Sequence, residues 1–200
     1  MDTTLSSPIT LPVLILLGLT STMLILARSW RSMTIVLAVQ YLGAFVLVLF
    51  SWPVNLALVK LVSGWMACLA LATGLWNTPE SLGEERFAPS GRLFRLLACG
   101  LVLIIILTAS SGLQSWLPDV DSAHIWASLL LIGMGLLHLG LTTHPIRSVV
   151  GLLTVYSGFE IVYSALENSA LVAGLLAGLT VGLALVGAYL LAAPDLEEES

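Results

Sequence analysis

Charge is scarce in this sequence: Asp, Glu, Lys and Arg make up 10% of 200 residues, and the polar stretches are too short to build a separate water-facing domain. Nothing in so sparse a set of cations suggests a nucleic-acid partner. Cysteine is nearly absent too. Cys68 and Cys99 lie inside separate apolar runs, where a thiol acts as a small hydrophobe, so neither a disulfide framework nor a metal site is indicated. Phosphate loops, nucleophile motifs, dinucleotide fingerprints and paired catalytic carboxylates are all missing. Their absence leaves no basis for an enzyme that acts alone or for a bound cofactor.

What fills the sequence is hydrocarbon. Hydrophobic residues make up 58% of the chain, and the mean hydropathy is +1.03, far from the balance of a soluble domain. Seven apolar runs stand out, at 9–27, 33–50, 54–75, 93–109, 125–141, 146–166 and 170–193. As a helix, each is about as long as a bilayer is thick, about 30 Å. The runs are continuous rather than alternating, which selects helices over barrel strands. The expected fold is therefore all-α, a polytopic transmembrane bundle of about seven helices forming one integral membrane domain over 1–200. Turn chemistry separates the runs at Ser51-Trp52-Pro53, His144-Pro145 and Glu167-Asn168-Ser169, with a longer polar loop over 77–91.

The chain opens Met1-Asp2-Thr3-Thr4 without a positive segment, so the first run is expected to be a retained helix rather than a cleaved signal. Arg28 and Arg31, the cluster Arg86, Arg92 and Arg95, and Arg147 all fall on one side of the expected membrane, and the opposite loops hold no Lys or Arg. The positive-inside rule then places the N-terminus outside and the C-terminus in the cytoplasm. The net charge of −5 owes much to Asp195, Glu197, Glu198 and Glu199, read as a solvated acidic tail at 194–200. Trp52, Trp76, Trp116 and Trp126 fall near run ends, where amphipathic rings favour the headgroup region.

Residues 9–75 and 125–193 also resemble one another, with 93–109 as a spacer helix. Arg31 and Arg147 open the second helix of each triplet, Gly43 and Gly158 sit in its middle, and Asn-x-Ala-Leu-Val enters the third at Asn55 and Asn168. Both triplets start outside, so such a repeat would be parallel, an arrangement met in transport proteins.

Two ionisable residues interrupt the runs: Lys60 in the third and Glu160 in the sixth. A charge at the centre of a lone helix costs about 2.5–3.5 kcal/mol on insertion scales, so such residues face a bundle interior, a partner or water. Both lie about two turns from the outer end of their helices, at matching depths. A pair is one reading; a snorkelling lysine beside a protonated structural glutamate is the other. Tyr156, Tyr163 and Glu167 share a helical face with Glu160, forming a stripe that suits either proton relay or a seam against another helix. Gln40 and Tyr41 are candidate partners from the second helix. His138 and His144 lack the further ligands that a metal site needs, and His124, at an outer helix end, reads as solvated. Gly174, Gly178 and Gly182 repeat every four residues and present a smooth face for helix packing.

The run Gly158-Phe159-Glu160-Ile161, with Ala165 after it and Arg147 before it, resembles the glutamate-bearing helix of NADH-quinone oxidoreductase subunit K, and Val181-Gly182-Leu183-Ala184-Leu185 resembles the end of that family's third helix. Gly178 stands where the family carries a second membrane glutamate. Ser29-Trp30-Arg31, Gln40, Lys60 and Asn77-Thr78-Pro79 are similar to hydrogenase-4 component E. The resemblance implies a prokaryotic inner-membrane subunit of a complex-I-like or hydrogenase-like respiratory assembly. It would hold no cofactor and would contact other membrane subunits, an antiporter-like one among them. Glu160 and Lys60, with Tyr156, Tyr163 and Glu167, would form its proton pathway. A small independent transporter and a purely structural assembly subunit are the alternatives.

Overall fold

The computed structural model describes residues 9–76, 89–142 and 144–192, with the side chains of Pro89 and Ser90 left out. Over these residues the chain is all-helical, with α1 at Thr10–Leu26, α2 at Trp30–Val48, α3 at Val54–Gly74, α4 at Pro89–Trp116, α5 at Ser122–Gly140, α6 at Pro145–Leu166 and α7 at Ala170–Ala192. Six of the seven, α2 to α7, are long and apolar enough to cross a membrane. The seventh, α1, has 17 residues, about 25 Å of helix. The protein is an integral membrane helical bundle. Arg86, most of the 77–91 loop, the Asn77-Thr78-Pro79 motif and the acidic tail lie outside the described residues.

Local chemistry sets the boundaries. Ser29 caps α2 by accepting the Ser32 backbone N–H at 3.2 Å, and Asp121 caps α5 by accepting that of Ala123 at 3.2 Å. Pro145 opens α6, where a missing N–H costs nothing. The fourth helix departs most from expectation: it runs 28 residues rather than the 17 of its apolar stretch. Ser110, Ser111 and Ser115 continue it because each hydroxyl donates to the carbonyl three residues back. These bonds satisfy the hydroxyls inside the helix itself, and hydropathy does not register them.

The α5–α6 contact is the most extensive, followed by α3–α7; α2 touches α1, α3 and α6, whereas α4 packs on α5 and α1. Glycine permits the closest approach. A Cβ at Gly135 would lie 2.8 Å from the Val155 backbone nitrogen, and one at Gly158 would lie 2.9 Å from the Ser128 carbonyl oxygen. By contrast Gly174, Gly178 and Gly182 of α7 meet nothing within 4 Å. The smooth face expected for packing is therefore turned away from this bundle, and α7 packs inward through Ala173, Leu176, Thr180, Ala184 and Gly187 instead.

Two buried arginines close the end of the bundle where α1 and α5 finish. Arg147, 1% exposed, donates to the Ala27 carbonyl at 2.7 Å. Arg95 donates to the carbonyls of Ile25 at 3.1 Å and Leu141 at 3.4 Å. Those carbonyls belong to the last turns and caps of α1 and α5, where the helix dipoles are negative and backbone acceptors have no helical donor. Both arginines thus cap the C-terminal ends of helices.

Two tryptophans depart from the headgroup expectation. Trp76 and Trp116 are 77% and 86% exposed at helix ends, but Trp52 is buried and Trp126 packs partly buried against the core. Their rings fill space between helices that would otherwise be void.

Gly135→Val should force α5 from α6 and lower stability by about 1–3 kcal/mol, while Gly178→Ala, in open space, should stay within about 0.5 kcal/mol of the parent. Thermal unfolding in mild detergent reads both; equal losses would contradict the packing described.

Candidate functional site: a buried lysine and glutamate

Lys60 is the chain's single lysine. It lies six residues into α3, and Glu160 lies six residues before the end of the antiparallel-entering α6, so both sit about 9 Å below the same end of the bundle. The matched depth expected from the sequence becomes contact. Lys60 Nζ forms a salt bridge with Glu160 Oε2, and the two side chains are 3% and 5% exposed. Whether the proton resides on the ammonium or on the carboxyl, the pair carries no net charge. That is the condition under which two ionisable groups can be held in hydrocarbon.

The surroundings hold the pair in place. Thr180 of α7 shares its hydroxyl between the Leu176 carbonyl at 3.1 Å and Glu160 Oε1 at 3.4 Å. Ser63 donates to the Lys60 carbonyl at 3.1 Å. Lys60 Nζ also lies 4.8 Å from the centre of the Tyr41 ring, within range of cation–π attraction. That ring reaches the lysine because α3 carries Gly64 one turn on, where a Cβ would overlap the Tyr41 side chain. Sequence reasoning missed both: Gly64 follows Lys60 by one helical turn, the only signal that pointed to it, and Thr180, a lone threonine among the apolar residues of α7, carried none.

On the near end a small cavity of about 10 Å³ adjoins the pair, lined by Val48, Trp52, Ala173, Leu176 and Ala177. Its size is at the lower limit for one water molecule. Trp52 is fixed above it, donating its indole N–H to the Glu167 carbonyl at 2.8 Å. This ties the α2–α3 turn to the end of α6.

The remaining expected residues fall elsewhere. Tyr156, partly buried, donates its hydroxyl to the Leu176 carbonyl at 3.2 Å, joining α6 to α7. Tyr156, Phe159 and Tyr163 form a tilted aromatic series with centroids 6.4 and 6.0 Å apart. Glu167 is exposed at the C-cap of α6. The inward face of α6 carries a different polar row: Arg147, Thr154, Ser157, Glu160 and Ser164 are all buried. Of the two candidate partners on α2, both buried, Tyr41 meets Lys60 through its ring, whereas the Gln40 amide has no hydrogen-bond partner among the described residues. His144 stands at the N-cap position of α6 without a capping side-chain hydrogen bond, and no group of three or more potential metal-binding side chains occurs among the described residues.

His124 corrects the sequence reading. It is 2% exposed, not solvated, and its Nε2 lies 3.0 Å from both the Leu47 carbonyl and Ser51 Oγ. A carbonyl can only accept, so Nε2 carries the proton. The imidazole pins α5 to the α2–α3 turn, an arrangement available because α5 starts one turn before its apolar run.

No family model, no curated protein and no solved structure matches this chain. Fold and site together define a membrane-embedded helical bundle with an ion pair at its interior.

Replacing one partner strands the other. Lys60→Met or Glu160→Gln alone should lower stability by about 3–5 kcal/mol, and the double variant should recover most of that loss. Unfolding in lipid–detergent micelles measures the cycle; additive losses would show that the two groups do not depend on each other.

Proposed function

We propose that this protein is a membrane-arm subunit of a proton-translocating, complex-I-like or hydrogenase-like respiratory assembly of a prokaryotic inner membrane. The buried Lys60–Glu160 pair carries the reading. An ion pair in a bilayer gains little stability over an apolar pair of the same shape, and intramembrane charges mark ion and proton pathways. In this reading the pair is one station of a polar axis, and proton transfer between its members leaves the net charge unchanged.

The subunit resemblance of Glu160 and its flanking residues supports the same role. Gly178 occupies the position of the family's second glutamate, and the counter-group of Glu160 here is Lys60 of α3 instead. The open Gly174–Gly178–Gly182 face of α7 supports assembly, since small residues at this spacing allow a neighbouring transmembrane helix to approach closely. An antiporter-like subunit is the partner this reading assigns to it. The basic end lies in the cytoplasm, with the N-terminus outside and the C-terminus inside.

Purification of the tagged chain from its native membrane in mild detergent should bring down antiporter-like and redox subunits in stoichiometric amounts. In that assembly Glu160→Gln should cut proton translocation by about a hundredfold or more while the subunits still associate. A chain that purifies alone and transports a solute after reconstitution would overturn the reading.

A further inference from the structure

The protein interior holds a set of polar groups that the ion pair does not use. The Tyr41 hydroxyl, both polar atoms of the Gln40 amide, Ser157 Oγ, Ser21 Oγ and His138 Nε2 have no hydrogen-bond partner among the described residues, and these five residues are each only 1–2% exposed. A buried polar atom without a partner costs about 1–3 kcal/mol, and one such group in a membrane bundle would be unremarked. Trp30 Nε1, Thr142 Oγ1 and His144 Nδ1 at the arginine end and His124 Nδ1 at the opposite end are unpartnered among the described residues too, and the five named groups lie between those ends.

Their depths are ordered. Measured from the end that Lys60 and Glu160 lie near, at 1.5 Å per residue, Tyr41 and Gln40 sit at about 10–12 Å, Ser157 at about 13 Å, Ser21 at about 16 Å and His138 at about 24 Å. The series begins level with the pair and runs toward the end capped by Arg95 and Arg147. It spans α1, α2, α5 and α6, which are mutual neighbours in the bundle: α2 touches α1 and α6, and α5 touches α1 and α6. In the opposite direction the pair meets Val48, Leu176 and the indole of Trp52, itself locked to the Glu167 carbonyl. The longer polar series therefore runs toward the arginine end; toward the near end the pair meets mainly apolar side chains, and His124 Nδ1 is the buried unpartnered atom on that side among the described residues.

We infer that Tyr41, Gln40, Ser157, Ser21 and His138 form a water-bridged arm through which the Lys60–Glu160 pair exchanges protons with the arginine end of the bundle. Each group has a donor or acceptor to offer, and buried water characteristically bridges two to four such groups. Protons move along the arm without redox chemistry. Every hydroxyl or water that receives a proton on one side releases one on the other, and the last proton forms an O–H bond at Glu160 or an N–H bond at Lys60 as the preceding O–H bond breaks. His138, with two ring nitrogens, can take a proton at one and release it at the other. The inference deepens the proposed function by assigning the side from which its pair is loaded, and it rests on that reading for its physiological use only.

The test does not need the assembly. With one lysine in the chain, ¹⁵N-lysine labelling of the purified protein in lipid vesicles gives one side-chain signal, whose hydrogen exchange with water reports access to Lys60. Gln40→Leu and Ser157→Ala should each slow that exchange about fivefold or more, and Ser157→Thr, which keeps the hydroxyl, should restore it to within about twofold. Circular dichroism and a monodisperse elution profile establish that each variant is folded, and the Ser157→Ala change is small enough for the close-packed α6 to accept. Unchanged exchange in both Gln40→Leu and Ser157→Ala would overturn the arm. So would slowing by Ser157→Ala that Ser157→Thr fails to reverse, since the hydroxyl would then not be the cause. Slowed exchange in a protein whose Glu160→Gln variant translocates protons normally would keep the arm and refute the respiratory role, so the two failures are distinct.

Discussion

A lone charge inside a bilayer must be neutralised, and in this protein that requirement is met by bringing Lys60 of α3 against Glu160 of α6. Much of the surrounding structure follows from the meeting. Because α3 starts and the antiparallel α6 finishes at the same end of the bundle, residues six positions from that end lie at one level. Gly64 lets the Tyr41 ring come under the lysine, and Thr180 brings α7 to the glutamate. Apolar clusters lie on either side: Tyr41 belongs to one, and Val48, Trp52, Ala173 and Leu176 belong to the other. The pair therefore joins four helices at a point where dispersion contacts alone would not specify which residues meet.

A second use of charge operates at the end of the bundle. Arg95 and Arg147 are buried among carbonyls rather than carboxylates, donating to the exposed acceptors at the ends of α1 and α5. A guanidinium suits this task because it offers several donors in a fixed plane and is weakly hydrated for a cation. The two kinds of site differ in consequence. An arginine on helix carbonyls remains charged and static, whereas a lysine against a glutamate holds a proton that either partner can carry.

The helices were legible because their signal is additive: about twenty apolar residues in a row leave few alternatives, and six of the seven expected runs match the observed helices to within three residues at each end. α4 escaped because it continues past its apolar run into a polar C-terminal stretch whose serines bond to their own backbone, which hydropathy averages away. At the site, Lys60 and Glu160 were visible as the ionisable residues inside apolar runs, and matched depth suggested the pair. Their contact, however, depends on which helices adjoin, and near-uniform apolar faces carry no information on that. The same blindness hid the buried role of His124 and the outward direction of the α7 glycines: spacing shows that a face is smooth but not what lies against it. The inward row on α6, from Arg147 to Glu160, was overshadowed by the tyrosines because serine and threonine barely register beside aromatic and acidic residues.

Everything turns on whether Lys60 touches Glu160 in a lipid bilayer. Solid-state NMR of protein carrying ¹⁵N-lysine and ¹³C-glutamate reads that contact directly, since the chain has a single lysine. The structure requires one Nζ-to-carboxyl correlation that disappears in Glu160→Gln. A lysine signal correlated with water or lipid headgroups and with no carboxyl carbon would place Lys60 at the membrane surface and remove the basis of the account.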